Sequence, residues 1–361
     1  MINVSQPYLP PLEELMPYLN RIWQSGIVTN NGPLVQEFES ELKKYTGVKH
    51  AFFVSNGTIA LQIAIRSLDI KGKILITPFS AVATLSSALW ERFVPVFADI
   101  DERTLNISPQ EVKKKISADI GCIIATHVYG NSCHIEQMES IAKSHNIPLI
   151  FDASHAFGSL YQGRDIMNFG TISTLSLQAF KILHSVEGGF IFTNDDEIAS
   201  SIFQMRYFGY DEKMMVETVG INGKTSEINA AMGLCVMNHF KEIKQSRLEQ
   251  SKYYDQLLAQ YALDVKRPII VENSMPNNAY YAIILQSEAD VMRVQDEFEK
   301  KEIQFKRYFH PSLNSLKILD AYEAMPVSES IASRVICLPL HFLLSSSDQD
   351  FIIASLAEVL N

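Results

Sequence analysis

Cysteine is scarce in this chain of 361 residues, and its spacing argues against a metal site and against a disulfide framework. The cysteines are Cys122, Cys133, Cys235 and Cys337. None of them forms a Cys-x-x-Cys pair, and the neighbouring His127 and His134 do not complete a zinc-ligand spacing. We therefore expect no bound metal and a reducing, cytoplasmic compartment.

Positive charge and long apolar runs are also in short supply. Lysine and arginine number 31 against 41 aspartate and glutamate, which gives a formal net charge of −10. Proteins that follow nucleic-acid phosphates usually carry the opposite balance, so nucleic acid is not an expected partner. The sequence has no window of about 20 apolar residues, and its N-terminus lacks the features of a signal peptide. We expect no membrane span.

Two nucleotide-binding signatures are missing as well. The segment GINGKTS, residues 220–226, ends as a P-loop does, but Thr218 occupies the position of the required first glycine. No GxGxxG motif follows a predicted strand. The sequence therefore argues against nucleoside-triphosphate hydrolysis and against nicotinamide chemistry.

What the chain does contain is a regular alternation of strands and helices through residues 1–240. Seven segments predict strands: HAFFVSN, KILITPF, FVPVFADI, GCIIATHVY, PLIFDAS, ISTLSLQ and GGFIFTN. Several of them are short continuous apolar runs, which are typical of strands buried on both faces. With helical patterns between most of them, they predict a large α/β domain with a mostly parallel seven-stranded sheet. Residues 241–361 predict a smaller C-terminal α+β domain, with a long amphipathic helix, a strand and two further helices.

The first candidate site is the turn at residues 55–58, Ser-Asn-Gly-Thr, which joins a predicted strand to a helix. In open α/β sheets, ligands bind at the carboxyl ends of the strands. Gly57 permits close backbone approach to a ligand, and the helix that follows offers free N–H groups to an anion. An ordinary capped turn that binds nothing explains the same residues.

Further candidates follow the fifth and sixth strands. Asp152 follows four apolar residues, so its carboxylate is expected to be buried and to need a partner; His155 lies three residues on. The alternative is a helix N-cap with a satisfied histidine. Lys181 lies between Phe180 and Ile182, where burial lowers the pKa of an amine and makes it nucleophilic; the alternative is a solvated surface lysine.

In combination, these parts are the ones needed to hold pyridoxal phosphate. Lys181 supplies an amine that can form an imine, and Asp152 can keep the pyridine nitrogen protonated so that the ring accepts electrons. The turn at Gly57 and Ser176, five residues before the lysine, can bind the phosphate. Only 29 residues separate Asp152 from Lys181, so neighbouring strands can bring them to one pocket.

At these residues the sequence resembles the DegT/DnrJ/EryC1/StrS family of sugar aminotransferases, which are fold-type-I pyridoxal-phosphate transferases. The matching segments are TNNGPLVQEFESELKKYTG, SNGTIALQIAI, FDASHAFGS, SLQAFKILHSVEGG, GINGKTSEINAAMGL, RYFHPSLN and CLPLH. They are spread over essentially the whole chain.

The resemblance implies a role for each matching residue. It implies that Lys181 forms the imine and moves the proton, that Asp152 pairs with the pyridine nitrogen, and that His155 lies beside the ring hydroxyl. It implies phosphate contacts from Gly57, Thr58, Ser176 and, from a neighbouring subunit, Asn222. An obligate homodimer with shared active sites follows from the last of these.

Three positions depart from the family pattern. Ala81 stands where an aromatic residue usually stacks on the cofactor, and Phe79 is a candidate substitute on the same strand face. Phe180 replaces a common threonine, and Gln178 replaces a common histidine. All of these positions border the expected cofactor, so they favour an altered substrate or reduced activity.

The implied reaction moves an amino group from L-glutamate to a nucleotide-linked keto-deoxysugar, for surface polysaccharide of the O-antigen type. The pattern is most similar to members that act at C4 of dTDP-4-keto-6-deoxyglucose. Lys181 argues against the dehydratase branch, in which histidine replaces the lysine. The alternatives are amination at C3 of the 3-keto isomer, a non-catalytic homologue that binds cofactor or sugar nucleotide, and a plain structural α/β protein.

Overall fold

The fold has a large central sheet, two small sheets and helices on both sides. The computed structural model describes residues 1–211 and 213–361. The strands are β1 (His50–Val54), β2 (Lys73–Ile76), β3 (Pro95–Phe97), β4 (Ile120–Thr126), β5 (Leu149–Asp152), β6 (Leu160–Tyr161), β7 (Arg164–Asp165), β8 (Ile172–Ser176), β9 (Gly189–Thr193), β10 (Ser274–Met275), β11 (Tyr281–Ile284) and β12 (Val335–Leu338). The α-helices are α1 (Leu12–Ser25), α2 (Pro33–Thr46), α3 (Gly57–Arg66), α4 (Val82–Trp90), α5 (Pro109–Lys115), α6 (Ile135–Ser144), α7 (Asp196–Met205), α8 (Glu227–Asn238), α9 (Phe240–Gln260), α10 (Glu288–Lys300), α11 (Pro326–Arg334) and α12 (Ser346–Leu360).

The central sheet has the strand order β1-β9-β8-β5-β4-β2-β3. Strand β9 pairs antiparallel with β1 and β8, and the other neighbours pair in parallel. All seven predicted strand segments lie in this sheet, so the prediction of a large, mostly parallel sheet is confirmed. Strands β6, β7 and β10 form one small sheet, and β11 and β12 form another.

The central strands are apolar throughout because both faces of the sheet are covered. Ile74 and Ile76 enter a core formed with α3, α4 and α7, whereas Leu75 enters a second core formed with α2, α6 and α8. Successive side chains of a strand point to opposite faces, so a strand that contributes to two cores shows no polar alternation. This packing fixes the carboxyl ends of β4, β5 and β8 side by side.

The C-terminal residues form a third core around β11, β12, α10 and α12. The predicted helices α9, α10 and α12 and the predicted strand β11 are found there. Helix α9 joins two cores: Phe240 and Ile243 pack under the central sheet, and Tyr254 and Leu257 pack in the C-terminal core. The domain boundary after residue 240 stays a prediction.

No helix among the described residues combines the length and the apolar character that crossing a bilayer requires.

Candidate active site

A cavity of about 400 Å³ lies at the carboxyl ends of β4, β5 and β8. Six of the predicted site residues line it: Gly57, Thr58, Asp152, His155, Ser176 and Lys181. Asn222 does not; its side chain is exposed and accepts a hydrogen bond from Lys224 Nζ. The volume lies within the range of sites for small ligands and cofactors.

The turn after β1 is shaped by a close approach between Gly57 and Ser176. The Asn56 side chain caps α3 by accepting a hydrogen bond from the Ile59 N–H at 2.9 Å. A Cβ atom on Gly57 would lie 2.8 Å from the Ser176 Cβ, so only glycine allows the two segments to meet here. The N-terminus of α3 and the Ser176 hydroxyl therefore border the same end of the cavity, where N–H groups and the helix dipole favour an anion.

Asp152 ends β5 with a carboxylate that is 3% exposed and accepts a hydrogen bond at each oxygen. One oxygen accepts from the Ser154 N–H and the other from Thr84 Oγ1, each at 3.1 Å. Ser80 Oγ lies 2.8 Å from both Thr84 Oγ1 and Thr126 Oγ1, which extends the network away from the carboxylate. No helix begins at Asp152 within the described residues, so the helix-cap interpretation was wrong.

His155 is held in an aromatic cluster at the side of the cavity. Its ring stacks on Phe309 at 5.4 Å between centroids and lies 4.3 Å from the Tyr280 ring. The side chain is 5% exposed, and its Nδ1 has no hydrogen-bond partner among the described residues. Burial, with a smaller effect from the Lys181 charge, holds the pKa of His155 well below its usual value. A neutral, unpartnered imidazole contradicts the interpretation of a satisfied structural histidine.

Lys181 lies in the loop between β8 and β9, and its ammonium group turns into the cavity. Its Nζ donates to Tyr280 Oη at 3.2 Å. Burial lowers the pKa of Lys181 from 10.5 to about 8, and the opposing attraction of Asp152 is weaker. The predicted lowering of the lysine pKa is confirmed in direction, and the solvated-surface interpretation was wrong.

The three unusual positions have different surroundings. Ala81 and Gln178 line the cavity, and half-exposed Phe180 donates its backbone N–H to Gln178 Oε1 at 3.2 Å. Phe79 is completely buried and packs edge-on against Phe309 at 5.4 Å. Phe79 is therefore a core residue, and the proposal that it replaces the missing aromatic residue at Ala81 was wrong.

Several lining residues were missed from the sequence. Ser80 and Thr126 follow β2 and end β4, so their position at the same sheet edge as Asp152 is a signal that a search of strand ends could have used. Phe309 reaches the cavity from the C-terminal part of the chain, more than a hundred residues beyond β9 in sequence. It lies in the family-like segment RYFHPSLN, but nothing in that segment predicts contact with the cavity.

A sheet of this topology, with a lysine of lowered pKa and a buried carboxylate at one cavity, defines a fold-type-I pyridoxal-phosphate transferase. Comparison with known proteins gives the particular family. The chain belongs to the DegT/DnrJ/EryC1/StrS aminotransferase family, whose model matches residues 12–357.

Relatives of known name extend over almost the whole chain. It is 36% identical over 363 residues to dTDP-4-amino-4,6-dideoxy-D-glucose transaminase from Shigella dysenteriae, and this match covers 99% of each chain. It is 33% identical over 349 residues to the Escherichia coli transaminase of the same name, which covers 94% of each. Among solved structures, DesI, determined in the presence of its TDP-sugar product, has a TM-score of 0.93 at 27% identity and covers 99% of this chain and 92% of its own. The resemblance inferred from the motifs is therefore confirmed, and the chain is a sugar aminotransferase.

Proposed function

We propose that the protein transfers an amino group from L-glutamate to C4 of dTDP-4-keto-6-deoxyglucose, using pyridoxal 5'-phosphate. The observation that carries the reaction type is the cavity that unites Lys181, Asp152, His155 and the N-terminus of α3. The choice of sugar rests on the names of the two transaminases that are 36% and 33% identical to this chain. The product belongs to surface polysaccharide biosynthesis of the O-antigen type.

The residues present fit the cofactor in both charge and space. Gly57, Thr58 and Ser176 border the anion-favouring end of the cavity, which suits a phosphate. Asp152 presents a buried, hydrogen-bonded carboxylate for the pyridine nitrogen, and the unpartnered Nδ1 of His155 can bond a polar atom of the ring. When bound, the cofactor supplies an electron sink for the bond broken at the substrate carbon.

Lys181 is the group of this chain that moves the proton. With a pKa of about 8, roughly a tenth of the amine is neutral at pH 7, which is far more than an exposed lysine offers. A neutral Nζ can accept the proton from the substrate carbon, and the resulting ammonium can return it elsewhere on the same substrate. Asp152 lies close enough to favour that ammonium.

We propose a homodimer in which Asn222 completes the neighbouring subunit's phosphate site. The segment from Phe208 to Ile228 exposes a set of large apolar side chains: Phe208, Met214, Met215, Val216, Val219, Ile221 and Ile228. Apolar groups in such number on one segment are typical of a surface that another protein covers. Asn222 lies within this segment, so a partner that covers it would bring the amide to a second cavity.

The sequence leaves two alternatives open. Amination at C3 of a 3-keto sugar uses the same residues, since the sugar can rotate about its linkage while Lys181 stays in place. The other alternative is a non-catalytic homologue, because Ala81 and Phe180 depart from the family pattern, but family membership and the retained Lys181 and Asp152 favour catalysis.

The test is a coupled assay with L-glutamate and dTDP-4-keto-6-deoxyglucose, followed by NMR of the aminated sugar. An amine at C4 supports the proposal and gives its stereochemistry. Product only from the 3-keto isomer supports the first alternative. If both sugars fail while the cofactor stays bound, the non-catalytic role is favoured. Lys181→Arg serves as the matched control because it keeps the positive charge and removes the nucleophilic amine.

A further inference from the structure

Tyr280, directly before β11, contacts both Lys181 and His155 of the cavity. Its hydroxyl is 3.2 Å from Lys181 Nζ, and its ring centroid is 4.3 Å from that of His155. Tyr280 lies 99 residues after Lys181 in the sequence. Edge-on contact with Tyr308, at 5.6 Å between centroids, holds the ring from the other side.

Lys181 Nζ and Tyr280 Oη hydrogen-bond to each other and to no other group among the described residues. Further ionisable groups lie around this pair: Asp152 at the end of β5, His155 after it, Tyr129 after β4, Arg247 on α9, Tyr308 in the C-terminal part and Cys337 in β12. Asp152 influences the lysine through its charge but bonds to Thr84 and Ser154 instead.

A phenol hydroxyl can hold an amine in either protonation state. It accepts a hydrogen bond from an ammonium group and donates one to a neutral amine. Burial raises the pKa of Tyr280 well above its usual value, so the hydroxyl keeps its own proton throughout the working pH range. A lysine side chain has four flexible carbons, and a fixed partner for its nitrogen limits the positions that the nitrogen visits.

We propose that Tyr280 is a positioning residue for Lys181. Its hydroxyl holds the ε-nitrogen inside the cavity whenever that nitrogen is not bonded to the cofactor, and so keeps it within reach of the substrate carbon. This inference rests on the proposed aminotransfer for its catalytic consequence, but the hydrogen bond itself is a property of this chain alone.

The test compares Tyr280→Phe with Tyr281→Phe, each of which removes one hydroxyl and keeps the ring. Tyr281 is the next residue, but its hydroxyl bonds to Asp255 at 2.6 Å, away from the cavity. We expect Tyr280→Phe to lower kcat by roughly 10- to 100-fold, because the amine loses its fixed position, while the KM for L-glutamate changes by less than about 3-fold. Tyr281→Phe is expected to keep the wild-type kcat.

A second measurement is independent of turnover. In the full-length, cofactor-free protein, the pH dependence of Lys181 acylation is followed by peptide mass spectrometry. Tyr280→Phe removes the acceptor of the ammonium group, so the midpoint of the acylation curve is expected to fall by about one pH unit. Tyr281→Phe is expected to keep the wild-type midpoint.

The outcomes separate the two proposals. If wild-type enzyme aminates neither sugar but the acylation midpoint moves as expected, the proposed function fails and the hydrogen bond to Tyr280 stands. If wild-type enzyme is active and Tyr280→Phe matches it in both kcat and midpoint, the positioning role is overturned. Equal thermal unfolding of the two variants excludes a folding defect as the cause.

Discussion

The two walls of the cavity have different origins in the chain. The sheet wall consists of Gly57, Asp152 and Ser176, which directly follow or end strands of the central sheet. The C-terminal wall consists of Phe309, which lines the cavity, and of Tyr280, which bonds to Lys181 Nζ; both come from the C-terminal part of the chain. The sheet wall carries the charged and hydrogen-bonding groups that suit the cofactor, and the C-terminal wall is mainly aromatic. The comparison suggests that the first wall sets the chemistry and the second sets position and substrate choice.

The largest effect is expected at Lys181, where the loop from the sheet wall meets the C-terminal wall. Lys181→Ala removes the amine that carries the proton, so kcat is expected to fall by at least about 10⁴-fold. Lys143→Ala, at an exposed position of α6, is the control and is expected to be neutral. Initial rates with saturating L-glutamate measure both. Turnover in Lys181→Ala within 10-fold of wild type would show that another group moves the proton.

Asp152→Asn tests the sheet wall with an isosteric change. The amide keeps the shape of the side chain but loses the buried negative charge, so we expect kcat to fall by about 10²- to 10³-fold. Asp196→Asn, an exposed aspartate at the start of α7, is the matched control. Cofactor affinity, measured by equilibrium dialysis, is expected to fall in the first variant only. Unchanged affinity and rate would mean that Asp152 has a structural role.

Phe309→Leu tests the C-terminal wall. Phe309 lines the cavity and stacks on His155, and shortening it removes apolar contact without introducing a charge. We expect the KM for the keto sugar to rise by about 10-fold, with cofactor affinity within about 3-fold of wild type. Phe351→Leu, at an exposed position of α12, is the control. A large loss of cofactor affinity in Phe309→Leu would break the division of roles between the walls.

The smallest effect concerns stability and pH. The unfolded Lys181 has a pKa near 10.5 and the folded one about 8, so between these values the unfolded chain binds more protons than the folded chain. Stability therefore rises with pH across this window. Between pH 8 and pH 10.5, the unfolding free energy of the cofactor-free wild type is expected to rise by up to about 2 kcal/mol more than that of Lys181→Met. Urea unfolding at both ends measures the difference, and identical pH slopes would contradict the lowered pKa.

The sheet wall could be predicted from the sequence because its residues sit in short local patterns. The turn at Asn56, Gly57 and Thr58 follows an apolar run, and Asp152 follows another apolar run. Each pattern predicts both a strand and the point at which the strand ends. Parallel pairing then places such ends together whatever their separation in sequence. All seven strands of the sheet were found in this way.

The place of the C-terminal wall at the cavity could not be predicted, although Phe309 lies in the family-like segment RYFHPSLN, because tertiary packing alone brings these residues there. Tyr280 precedes an ordinary strand, and its contact with Lys181 depends on how the C-terminal core packs against the sheet. The same limit explains the error at Phe79, which strand alternation placed beside Ala81 although the residue is buried against Phe309. Helix α8 was missed for a related reason: apolar residues on several sides leave no single stripe for periodicity to detect.

The most direct test of the account is to locate the covalent attachment of the cofactor. Purified protein loaded with pyridoxal phosphate is reduced with borohydride, digested and analysed by peptide mass spectrometry. The account predicts the added pyridoxyl phosphate mass on Lys181, and its loss in Lys181→Arg. Attachment at another lysine, or none in wild type, would contradict the central claim that this cavity is the site of amino transfer.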